Sequence, residues 1–153
     1  MRIIRKGVFE TNSSSTHSIT MCMKSDYDKW SNGELYFFDG KLISKEEADI
    51  IKKKSVLYDK CDVDYSTRKA KYKDIEFNWD DRETALYTKE NLDSITDKDI
   101  EEYEENELDI YEYPTSFDDY WNYFEERLET YTDSFKTPNG EEVVAFGTYG
   151  NDW

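Results

Sequence analysis

Histidine is almost missing from this chain: His17 is the only one among 153 residues. A metal site built on histidine pairs is therefore excluded. Cys22 and Cys61 stand 39 positions apart with no CxxC, so they supply neither a zinc knuckle nor a disulfide framework. Each reads as a small buried hydrophobe. No apolar run reaches the ~18 residues of a membrane-spanning helix. The opening MRIIRKGVFE lacks the apolar core of a signal peptide, and the expected location is cytoplasmic. No internal repeat and no Gly/Ser-rich linker interrupts the sequence, which predicts a single domain over residues 1–153.

Aliphatic residues are also scarce. Leu, Ile, Val and Phe together number 30, and the net charge is −16, a balance close to that of disordered chains. Aromatic residues decide the matter, with 13 Tyr, 8 Phe and 4 Trp. Such side chains bury large areas while keeping a polar tip wet, and they can build a core where Leu and Val are few. The chain reads as a folded, very acidic domain with an aromatic interior.

Local signals predict an α+β fold: antiparallel hairpins with two or three helices. THSITMCM alternates, with His17, Ile19, Met21 and Met23 on one side and Thr16, Ser18, Thr20 and Cys22 on the other, as in a strand. GELYFFDGKLIS places two short apolar runs about Asp39-Gly40, a pair suited to a type I′ turn. Ser44 and Glu47 form a capping box that opens a helix to about Lys54, with Ala48, Ile50 and Ile51 inward. DIEFNW reads as a strand, and the rest of 55–92 as loops or short elements. A polar helix follows from Asp97 to about Asn106, then a strand LDIYEY ending at Pro114. Ser116 caps an amphipathic helix whose stripe is Phe117, Tyr120, Trp121, Phe124 and Leu128. Two final runs join through Thr137-Pro138-Asn139-Gly140 as a second hairpin.

Charge is divided unevenly along the chain. Residues 1–73 hold 15 Lys/Arg and 11 Asp/Glu, whereas 74–153 hold 5 and 25. The sharpest run is 97–109, where Asp97, Asp99, Glu101, Glu102, Glu104, Glu105, Glu107 and Asp109 face only Lys98. As a helix this run is roughly 20 Å long at about 1.5 Å per residue. One DNA strand carries a charge per ~3.4 Å of axis, so about six phosphates occupy that length. The density matches a single strand. Tyr103, Tyr111 and Tyr113 lie among the acids and suit stacking on arginines. Asp118, Asp119, Glu125 and Glu126 form a second acidic set. A solvated acidic face is the plain alternative. Neither DYDKWSNGE nor DKDIEEYEENE has calcium-loop spacing, and no metal or other cofactor is expected.

One stretch carries other chemistry. NSSSTHS, from Asn12 to Ser18, gathers hydroxyls around His17. Three readings stand: a turn satisfied by its own side chains, an anion or nucleotide site, or a nucleophile such as Ser14 with His17 as base. No GxSxG elbow, SxxK pair or P-loop accompanies it.

RKGVFETNSSSTHSI, and TPNGEEVVAFGTYGND near the other end, resemble small proteins encoded by phages and prophages of Gram-positive bacteria. The likeness covers about 30 of the 153 residues and attaches no catalytic residue to them. It implies a phage context inside a bacterial host cell. Context and charge together suggest an anti-CRISPR or other anti-defence protein. It would mimic nucleic acid and block the basic DNA- or RNA-binding cleft of a nuclease such as a CRISPR effector. The low share of basic residues argues against direct nucleic-acid binding. The alternative is a small enzyme acting on a nucleotide or phosphoester through Asn12–His17, with Arg2 or Arg5 nearby. Oligomeric state is not legible.

Overall fold

The computed structural model describes the backbone of residues 5–11, 15–106 and 112–151, and side chains over 18–106 and 112–150. The fold is mixed α+β with antiparallel sheets. The chain divides into two compact units, residues 1–48 with 110–153, and residues 49–109.

The first unit is built on a four-stranded sheet. In chain order its strands are β1 (Arg5–Thr11), β2 (Ser15–Met23), β8 (Glu129–Lys136) and β9 (Glu142–Asn151), arranged β1-β2-β9-β8. The register sets Arg5 opposite Met21, Met23 opposite Val143, and Lys136 opposite Glu142. Helix α1 (Lys24–Ser31) follows β2 directly. The hairpin of β3 (Leu35–Phe38) and β4 (Lys41–Ser44) turns at Asp39 and Gly40 with φ of 52° and 77°, the left-handed pair a type I′ turn requires. Helix α6 (Phe117–Glu125) is capped by Ser116, whose Oγ accepts from the Asp119 N–H at 3.2 Å.

Aromatic rings fill the core of this unit. Trp30, fully buried, meets Tyr27, Phe37, Phe117, Tyr120, Trp121 and Phe146 at centroid distances of 5.0–6.3 Å. Its indole N–H donates to the Thr115 carbonyl at 3.2 Å. The Phe37 N–H donates to that same oxygen at 2.9 Å, so both lone pairs are used. The inward side of β2 is the polar one. Thr20 and Cys22 are buried, whereas Ile19, Met21 and Met23 are half-buried. Ser18 and Thr148 bond each other through their hydroxyls at 3.0 Å, which satisfies groups that would otherwise be costly to bury.

Gly147 sits opposite Ile19 and Tyr131. The Tyr131 hydroxyl crosses it to donate to the Ser18 carbonyl at 2.6 Å. A Cβ there would collide with that carbonyl and approach the hydroxyl to 2.8 Å.

The second unit packs a three-stranded sheet, β5 (Asp62–Asp64), β6 (Lys69–Tyr72) and β7 (Ile75–Asn78), against helices. Val63, Ala70 and Phe77 are cross-strand neighbours in its apolar layer. Helix α2 (Lys45–Lys60) supplies Val56 and Leu57. A 3-10 turn (Trp79–Asp81), α3 (Arg82–Ala85) and α4 (Lys89–Asp93) lead to α5 (Asp97–Asn106).

The described residues hold six α-helices rather than two or three. α3 and α4 have four and five residues, too short to show a helical period. α1 has no side-chain cap and is held by burial of Trp30. α2 runs six residues past Lys54 because Val56 and Leu57 anchor it. Ile50, expected inward, is 48% exposed, since the inward line through the buried Ala48 and Val56, with the half-buried Lys52 between them, leaves it on the far side. The expected strand LDIYEY is not supported where it is described: Glu112 lies in a turn and Tyr113 in a bend, and residues 107–111 lie outside the described part. No helix among the described residues is long and apolar enough to cross a membrane.

Candidate functional site

The acidic helix α5 begins at Thr96. The Asp99 N–H donates to Thr96 Oγ1 at 3.2 Å, and Asp99 Oδ2 accepts from the Thr96 N–H at 2.9 Å and its hydroxyl at 3.0 Å. This is a capping box. Hydrogen bonds from Thr96, with Lys60 nearby, hold the Asp99 carboxyl below the usual carboxylate range. One turn on, Ile100 is buried and Tyr103 packs against the same core as Val56 and Leu57. Those two anchors fix the rotation of the helix.

The anchors sort the acids. Asp97, Glu101, Glu102 and Glu105 are exposed. Asp99 and Glu104 flank the inward face and meet lysines of α2, with Lys60 at 3.7 Å and Lys52 at 3.5 Å. These two leave the presented set. Asp99 is a capping and pairing residue, a role legible in the Thr96-x-x-Asp99 spacing. Glu104 lies one turn beyond Ile100, beside the buried stripe. Glu107 and Asp109 lie outside the described residues. The tyrosines expected among the acids do not serve as a stacking surface: Tyr113 is buried and Tyr103 belongs to the core, while Tyr111 lies outside the described residues.

Part of the lysine-rich segment is spent on the unit's own acids. Besides Lys52 and Lys60, Lys54 meets Glu83 at 3.4 Å, and Arg68 pairs with Asp80. Exposed pairs of this kind add little stability, but they cancel charge locally. Along the sequence the halves differ by 24 charges, yet the folded units do not. Residues 49–109 hold 19 Asp/Glu and 11 Lys/Arg, and the remainder holds 17 and 9, a net of −8 in each.

The second acidic set belongs to the other unit. Asp118, Asp119, Glu125 and Glu126 are all exposed on α6. Asp118 and Asp119 sit at the positive end of the helix dipole, while Glu125 and Glu126 oppose its negative end. Arg127 offsets the latter: its guanidinium donates to the Tyr123 carbonyl at 2.8 Å and lies 4.0 Å from the Tyr123 ring centroid.

For the hydroxyl-rich stretch, Ser15, Thr16 and His17 are strand positions in β2, with His17 opposite Phe9 on one side and Tyr149 on the other. Arg5 lies opposite Met21. Asn12, Ser13, Ser14 and Arg2 fall outside the described residues. Among the described residues no three His, Cys, Asp or Glu side chains converge as a metal site.

No family model matches the chain, and no match appears among curated proteins or solved structures. The functional reading therefore rests on the residues themselves.

Proposed function

We propose that this protein is an acidic inhibitor that occupies the basic nucleic-acid-binding cleft of a bacterial defence nuclease, with a CRISPR effector as the first candidate target. The observation that carries the reading is the outward row of α5. Asp97, Glu101, Glu102 and Glu105 place four negative charges along about 12 Å of helix. The mean interval, about 4 Å at ~1.5 Å per residue, is close to the ~3.4 Å per phosphate of one DNA strand. No lysine or arginine pairs with any of the four among the described residues. Their charges remain available to the guanidinium and ammonium groups of a groove.

The net charge of −8 on each unit would draw in a cationic partner, accelerating association at low salt and losing the advantage as salt rises. A host-defence nuclease as the target is itself part of the proposal and follows the phage-like reading of RKGVFETNSSSTHSI in the sequence. The deciding experiment is DNA cleavage by a panel of purified, guide-loaded CRISPR effectors. It compares the protein with a variant carrying Lys at 97, 101, 102 and 105. Inhibition by the natural chain, lost in the folded variant and weakened by salt, is the expected result. Equal inhibition by both proteins would remove this helix from the mechanism.

A further inference from the structure

The helices and the β3–β4 hairpin of the first unit pack on one face of its four-stranded sheet. Trp30 of α1, Phe37 and Leu42 of the hairpin, and Tyr120 and Phe124 of α6 gather on Cys22, Val144 and Phe146. Successive strand residues point to opposite faces, so the other face carries Ile19, Met21 and Met23 of β2 with Val143, Ala145 and Tyr149 of β9. Val143 is buried, but Ile19, Met21, Met23 and Ala145 are only half-buried. Tyr149 is 54% exposed, and Phe135, on the same face of β8, is 47% exposed. These two central strands place no Asp, Glu, Lys or Arg on that face, in a chain with 37% charged residues. An apolar sheet face on so acidic a chain marks a docking surface.

Charge enters this face at its edge strands. One row across the sheet reads Arg5, Met21, Ala145, Asp133, with opposite signs at its two ends. Asp133 Oδ1 accepts the Ser134 N–H at 2.9 Å, which fixes the carboxylate at the edge. The next row reads Gly7, Ile19, Gly147, Tyr131.

We propose that this face binds a second copy of the chain, about a two-fold axis parallel to the strands. That axis lays β1 of one copy over β8 of the other. The first row then stacks on itself reversed, with the Arg5 position over Asp133 of the second copy and Met21 over Ala145. In the second row Tyr131 comes over Gly7, a position with no side chain to displace. An axis perpendicular to the strands would instead lay β8 over β8 and gather Glu129 and Asp133 of both copies, an arrangement like charges oppose. Packed sheets lie about 10 Å apart with strands within about 30° of each other. At that angle edge strands ~7 Å from the axis slip by roughly 4 Å, about one residue, so the rows stay matched. Four strands at ~4.8 Å and seven residues at ~3.4 Å outline about 450 Å² per copy. The total of about 900 Å² belongs to weak, reversible association. The inference concerns the first unit and does not depend on the role of α5. Its salt dependence also has the opposite sign, because each copy carries −16 and screening relieves their repulsion.

Sedimentation equilibrium of the full chain over about a hundredfold range of concentration tests this. A monomer–dimer equilibrium that tightens as salt rises is the expected result. Tyr149→Lys and Phe135→Lys, both at exposed positions, should each weaken it by about tenfold or more, with unchanged circular-dichroism spectra. Arg5→Asp and Asp133→Arg should each weaken it as well, and the double exchange should recover most of the loss, which a purely structural role of either residue would not produce. A chain that stays monomeric in low and high salt would overturn the inference and leave the face to a partner of another sequence. So would a dimer indifferent to both lysine substitutions, or a double exchange that recovers nothing.

Discussion

Asp99→Ala separates structural acids from presented ones on α5. The substitution removes two hydrogen bonds to Thr96, at 2.9 and 3.0 Å, and loss of a helix cap costs about 1 kcal/mol. It also removes a negative charge from the positive end of the dipole, worth about 0.3–1 kcal/mol. Against this, it relieves the like-charge contact with Glu102 three residues on, a gain of about 0.2–0.5 kcal/mol. The Lys60 pair, 3.7 Å long and partly exposed, adds little after solvent screening. The capping loss wins, and the net is about 1 kcal/mol of destabilisation. Glu101→Ala has the opposite sign. Glu101 neighbours Asp97 and Glu105 at four residues and Glu104 at three, against Lys98 alone, so its removal should stabilise by about 0.2–0.5 kcal/mol.

Thermal unfolding followed by circular dichroism measures both, and for a cooperative chain of this size 1 kcal/mol moves the melting midpoint by about 2–4 °C. The Asp99 effect has a pH signature. Its folded-state pKa is lowered, so its stabilisation is present above the unfolded value of about 3.9 and is lost as pH falls through the lower folded value. The difference between the natural chain and Asp99→Ala should therefore close in acid. Loss of stability in Glu101→Ala with none in Asp99→Ala would refute the inward and outward assignment of α5.

Other outcomes follow from the core and the thiols. Trp30→Ala should cost about 3–5 kcal/mol, a large part of the ~5–15 kcal/mol that holds a typical domain, seen as a collapse of the urea midpoint; Trp30→Phe should cost less. Gly147→Ala should destabilise near the upper end of the ~1–3 kcal/mol range for overpacking, because its Cβ meets the Ser18 backbone rather than a movable side chain. Burial pushes the Cys22 thiol up to about 12 and the Cys61 thiol to about 11. Iodoacetamide at pH 8 should leave Cys22 unmodified until the chain unfolds. Raised folded-state values mean that the unfolded thiols ionise first, so stability should fall as pH climbs past about 9. Unfolding midpoints that stay flat between pH 8 and 11 would contradict this.

Much of the local structure was legible because it depends on neighbours in the chain. Asp39-Gly40 demanded a left-handed turn, Ser44 and Ser116 offered caps, and the spacing of Phe117, Tyr120, Trp121 and Phe124 defined one helix face, although the helix stops at Glu125 and Leu128, expected on the same stripe, follows it. The short α3 and α4 were not legible, since fewer than two turns show no period. α1 escaped because burial of Trp30, and not a cap, holds it. Within the candidate site, the extent of α5 was readable, and so in principle was the Thr96–Asp99 box. The pairing of Glu104 with Lys52 was not, because those residues are 52 apart in sequence.

Composition alone determined that aromatic rings would carry much of the core: they dominate the first unit, while the second mixes Tyr72, Phe77 and Trp79 with Val56, Leu57, Leu86, Ile95 and Ile100. It also determined that the surface would be strongly negative. Tertiary structure decided where that charge lies. By placing the lysine-rich α2 and the acid-rich α5 in one unit, folding turned a lopsided sequence into two equally acidic bodies. Coulomb interactions act through space, so the field a partner meets is set by which residues are brought together and not by their order along the chain.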